Sequence, residues 1–95
     1  MSKLCVISVF DRAAGVFGRP IFVPAVGVGI RSFMDEINRN SPDNNMYAHP
    51  DDFDLFHLGF FDEDEGSFLP YNPEEPTAKP KLLMLGKQAR DSDRA

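Results

Sequence analysis

Three things are scarce in this chain. It has a single cysteine, Cys5, no apolar run approaching about 18 residues, and no basic residue from position 41 to position 78. A lone cysteine cannot form an intramolecular disulfide, so the sequence predicts a reducing, cytoplasmic setting rather than secretion. Lys3 is followed by only seven residues before Asp11, too short and too interrupted for a signal peptide. Without a long apolar stretch, no membrane span is expected. The base-free middle carries ten acids. It repels phosphate, which leaves any nucleic-acid contact to the two ends of the chain.

What is present is enough for one domain. The 95 residues are 42% apolar and include nine phenylalanines, although a chain of this size buries only about 60 to 65% of its unfolded surface. Stability of about 5 kcal/mol follows from the usual per-residue scale. Self-association would cover more apolar surface, so a homodimer is one expectation. The net charge of −5 is unevenly placed: residues 1–40 hold five bases and three acids, and residues 79–95 hold five bases and two acids. Both ends are therefore positive and the centre strongly negative.

Leu4 to Phe10 is β-branched and aromatic with both alternating sets apolar, which predicts a central strand. Asp11, Gly15 and Gly18 punctuate a connection, and Arg19-Pro20 forces extended backbone before a short second strand, Ile21 to Val23. From about Val28 to Arg39 the period becomes helical, with Ile30, Phe33, Met34 and Ile37 on one side and Arg31, Asp35, Glu36 and Asn38 on the other. Asn40-Ser41-Pro42 stops the helix, and residues 41–52 read as a loop. Phe53 to Phe61 is the second strong strand, with Gly59 marking a bulge that changes which side faces inward. Asp62 to Gly66 is a tight turn and Ser67 to Leu69 its hairpin return. Residues 70–80, with Pro70, Pro73, Pro76 and Pro80, form an extended connector, and Lys81 to Leu85 can add a last strand. No internal repeat is visible. The reading is an α+β domain over 1–86, with four to five strands in an antiparallel or mixed sheet of order β-β-α-β-β, one amphipathic helix on one face, and a flexible charged tail over 87–95.

No catalytic set assembles from the motifs, so no enzyme and no cofactor are expected. Asp62 and Asp64 resemble the start of a calcium loop, but Gly66 falls at the fifth position and Pro73 where the bidentate glutamate belongs, so a solvated turn is the better account. His49 and His57, with Asp51, Asp52 and Asp54 between them, satisfy no metal-ligand spacing, and His57 reads instead as a cross-strand partner of an acidic side chain. Cys5 lies mid-strand without an activating base. Gly27-Val28-Gly29 lacks the third glycine or Lys-Ser/Thr of a phosphate loop and reads as helix entry. Arg12, Phe17 and Arg19 surround the first connection, where guanidinium groups could grip phosphates and a ring stack on a base. Arg31 and the terminal bases Lys79, Lys81, Lys87 and Arg90 could extend that surface.

LCVISVFDRAAGVFGRPIF, then IRSFMDEINR, HPDDFDLFHLGFFDEDEGSF and KLLMLG resemble, in that order, the small nonstructural protein of gokushovirus-type microviruses, the phage ORF5 or VP5 family. The resemblance spans most of residues 3–86 and is most specific at His49-Pro50, Asp52-Phe53, Leu55, Leu58-Gly59 and Phe61-Asp62. It implies a protein of a single-stranded DNA bacteriophage, made in the bacterial host cytoplasm, absent from the virion, and acting in genome synthesis or packaging. Two modes remain open. One is weak single-stranded DNA binding through Arg12, Phe17, Arg19, Arg31, Lys79, Lys81, Lys87 and Arg90. The other is docking on the phage replication initiator, the procapsid or a host factor.

Overall fold

The computed structural model describes residues 2–77 and 79–93. Its elements are β1 (Lys3–Asp11), β2 (Val16–Phe17), β3 (Ile21–Val23), α1 (Val26–Ile37), α2 (Asn45–Ala48), β4 (Phe53–Asp62), β5 (Ser67–Pro70), β6 (Lys81–Leu85) and α3 (Gly86–Asp93), with a 3-10 turn at Pro50–Asp52 before β4. The sheet is α+β in setting and antiparallel throughout. Long strands β1 and β4 pair at its centre. Short β2 and β3 follow one another along the free side of β1, and β5 and β6 along the free side of β4.

The expected order of four to five strands and one helix is therefore too sparse: six strands and three α-helices are present among the described residues. β2 went unread because Val16-Phe17 is only two residues long, too short to establish a period. The expected 41–52 loop contains α2, whose first turn is capped by Asn44: its side-chain oxygen accepts from Met46 N at 3.1 Å, and its amide donates to Glu36 O at 2.8 Å and Arg39 O at 2.9 Å. The tail expected to fray over 87–95 is helical through Asp93, and Arg94 lies outside the described residues. Nothing in Lys87-Gln88-Ala89-Arg90 shows an apolar stripe. This helix is held from outside by its caps and by Ala89, which is fully buried.

Odd-numbered side chains of β1 face the helices. Cys5, Ile7 and Val23 of β3 pack with Leu55 of β4 against Phe33 and Ile37 of α1 and Ala89 of α3. The bulge expected near Gly59 is present: the register passes from Ile7↔His57 to Val6↔Gly59 and skips Leu58. Because side-chain direction alternates with period two, one extra residue exchanges the faces. The inward set accordingly changes from Phe53 and Leu55 to Phe60. α1 begins two residues earlier than expected and ends at Ile37. Gly29, read as helix entry, lies inside α1, where its missing side chain lets the helix settle on the sheet: a Cβ there would strike Ile7 Cδ1 and approach Val23 Cγ2. Asn38, just beyond the helix, donates to Met34 O at 2.8 Å and Ala89 O at 3.2 Å, joining α1 to α3.

Candidate docking face

The side of the sheet away from the helices carries Leu4, Val6, Ser8 and Phe10 of β1. Cross-strand partners of these residues and of their neighbours point the same way: Phe17, Phe22, Phe56, Phe61, Phe68 and Leu82. Six of the nine phenylalanines thus stand on this side. They form two ring clusters. Phe10, Phe17 and Phe56 meet with centroids 4.8 to 6.2 Å apart, and Phe22, Phe61 and Phe68 with centroids 5.0 to 6.3 Å apart. A shallow hollow of about 250 Å³ adjoins the second cluster, lined by Val6, Pro20, Leu58, Gly59 and Phe68 and also by Phe60 and Leu69, whose strand positions face the helix side. Among the described residues no helix covers this face, and Phe17 (41%), Phe22 (44%), Leu82 (45%) and Phe68 (70%) remain open to solvent.

An internal repeat, which the sequence reading did not see, builds both clusters. Phe10-Asp11-Arg12-Ala13-Ala14-Gly15-Val16-Phe17 and Phe61-Asp62-Glu63-Asp64-Glu65-Gly66-Ser67-Phe68 share the pattern F-D-x-x-x-G-x-F. The reason is local. In each turn the aspartate carboxylate accepts from two following backbone amides, Ala13 and Ala14 in one and Asp64 and Glu65 in the other, at 2.9 to 3.3 Å. In each, a glycine at positive φ (Gly15 +74°, Gly66 +67°) donates back to the aspartate carbonyl at 2.7 and 2.8 Å. A left-handed backbone suits glycine, and the five-residue reversal sets the flanking phenylalanines opposite one another. The acidic turn of residues 62–66 is thus a hairpin device. Among the described residues no group of three or more His, Cys, Asp or Glu is placed to hold a metal ion.

The cations proposed from sequence do not gather on one surface. Arg12 donates from Nε to Asp54 at 2.7 Å, and the second carboxylate oxygen of buried Asp54 accepts from Gly86 N at 3.2 Å, capping α3 across the chain. Lys87 shares a polar hollow of about 230 Å³ with Arg12, Asp51, Asp54 and Leu85, so two bases there meet two acids. Arg90 is occupied within the fold: it donates to Ile37 O at 3.0 Å and to Tyr47 O, and lies 4.2 Å above the Tyr47 ring. Arg19 lines an apolar cavity of about 190 Å³ between α1 and the sheet, with Ser32 and Glu36, on the opposite side from Phe17. Arg31 is exposed on α1, Lys79 on the connector and Lys81 on β6. The row Ile21–Ile7–His57–Lys81 crosses the sheet, which separates the Arg19 and Lys81 edges by three strand spacings, about 14 Å.

Among the described residues His57 has no acidic partner, contrary to expectation. Its Nε2 meets Gly59 O at 2.9 Å and its ring packs edge-on to Phe60. Burial holds its pKa below the ordinary histidine value, and nearby Lys81 pushes the same way. Cys5 is a buried free thiol. No helix among the described residues is long and apolar enough to cross a membrane.

These features define an α+β sheet protein with one helix-covered face and one bare, phenylalanine-rich face. Comparison with known proteins makes the class particular. Residues 4–87 match the family described as Phage ORF5 protein, and the chain belongs to that family. It is also 35% identical over 65 residues to Protein ORF5 of Chlamydia phage 1, covering 66% of this chain and 68% of that protein. No solved structure matches.

Proposed function

We propose that this chain is a non-enzymatic accessory in the replication or packaging of a single-stranded DNA phage genome, and that it works by docking on protein through its bare sheet face. The observation that carries this reading is the composition of that face: six phenylalanines, several half-exposed, with two bases at one end, Arg12, already paired to Asp54, and Lys87. Rings that outnumber the bases beside them suit an apolar protein surface, whereas single-strand binders join stacking rings to a positive groove. The test is recovery of tagged chain with the phage replication initiator or coat protein from infected cells, before and after nuclease. Recovery that survives nuclease and is lost in a Phe22→Ser/Phe68→Ser variant supports docking. Recovery abolished by nuclease refutes it.

A second reading has one specific observation in its favour. Arg12 and Lys87 lie at the end of the sheet where β1 turns, next to the Phe10–Phe17–Phe56 cluster, so one or two nucleotides could stack on Phe17 with phosphates at those bases. Two phosphate contacts give a log-affinity slope against log salt of about −1.4 for single strands. Oligothymidylate titrated between 50 and 200 mM salt checks it, with Phe17→Ser as the loss-of-stacking control.

A further inference from the structure

We infer that the occupant of the bare sheet face is a second copy of this chain, the two sheets stacking face to face into a sandwich. This rests on the reading of that face as a protein-docking surface and names its partner.

Size favours it. Nine residues of β1 give a length of about 30 Å, and four adjacent strand positions a width of about 19 Å. The plan area is roughly 570 Å², which from two copies gives about 1,100 Å², the size of a weak, concentration-dependent interface. Charge favours it as well. A chain of net charge −5 repels its own copy, yet Glu63, Asp64 and Glu65 lie beyond the strand ends, Asp62 at the end of β4 shares the parity of inward Phe60 and not of Phe61, and at the other end Arg12 and Asp54 neutralise one another beside Lys87 and Asp51. The face can therefore meet itself without bringing like charges together. Its layout is nearly self-complementary: the two F-D-x-x-x-G-x-F hairpins place one ring cluster towards each end of the antiparallel β1–β4 pair. A copy turned over sets ring cluster on ring cluster, and the hollow beside Phe68 receives a projecting apolar side chain. Sheets that pack this way keep their strands within about 30° of alignment.

Sedimentation equilibrium of the full chain from 1 to 200 µM is the test. The inference expects a mass approaching twice 10.7 kDa as concentration rises, falling to one copy for Phe22→Ser/Phe68→Ser and unchanged for Arg31→Glu on the helix side. Should the double variant fail to fold, Leu82→Ser alone and the concentration series of the unaltered chain still decide. A single-copy mass throughout overturns the second-copy inference. If that monomer captures a phage protein through the same phenylalanines, the docking reading survives alone. If it captures only oligothymidylate through them, both fall.

Discussion

At the scale of single residues, buried polar groups do more to fix this molecule than its surface ion pairs. Asp54 is 4% exposed and bonds Arg12 on one oxygen and the Gly86 amide on the other. Asp54→Ala leaves a buried N–H without a partner and frees the guanidinium. The expected loss is about 2 kcal/mol, discounted because Arg12 is half exposed, and urea denaturation reads it. The Arg39–Glu36 pair is exposed on both sides, so Arg39→Ala should leave the urea midpoint nearly unchanged. His57 gives a pH signature. Its folded pKa lies below the ordinary value of 6.5, so above 6.5 both states are neutral and stability is flat. As pH falls through that value the unfolded chain takes a proton that the folded chain refuses, and stability declines until the folded pKa is passed. The urea midpoint should drop between pH 7.5 and 5.5, and the drop should shrink in His57→Phe.

At the scale of elements, legibility followed periodicity. β1, β4 and α1 were readable because each repeats its apolar pattern over nine or more residues, long enough to stand out from chance. α3 was not, because Ala89 is the one apolar side chain between Lys87 and Arg90, and its stability comes from Asp54, Asn38 and the Arg90 contacts, all distant in sequence. Gly86 makes this concrete: a Cβ there would run into the carbonyl oxygens of Pro50 and Phe53. Gly86→Ala is expected to cost about 3 kcal/mol, as overpacking against backbone does, and limited proteolysis should then cut within residues 86–93 first. Phe33 of α1 is 4% exposed. Its truncation to alanine removes about 3 to 5 kcal/mol, comparable to the whole expected stability of about 5 kcal/mol, so circular dichroism should report a substantially unfolded population at 25 °C.

At the scale of the whole molecule, one layer of helices on one sheet leaves the other face without a covering layer among the described residues, although Val6 and Ser8 there are buried beneath their neighbours. If the bare face is shared between two copies, unfolding is coupled to dissociation and the melting temperature rises with protein concentration. A hundredfold increase should raise it by several degrees in calorimetry, and Phe68→Ser should remove the dependence. The sequence by itself determined the α+β class, the two central strands, the bulge near Gly59 and the covering helix, because those depend on side-chain period and local backbone restriction. It also held the F-D-x-x-x-G-x-F repeat, legible once the two turns are set side by side. Only the tertiary structure decided what the charges and rings do. Arg12 and Arg90 are drawn into internal bonds, Arg19 and Lys81 fall on opposite edges of the sheet, and six phenylalanines come to one open face. Strand pairing and the one-residue bulge fix those positions, and both depend on which segments meet across some fifty residues of chain.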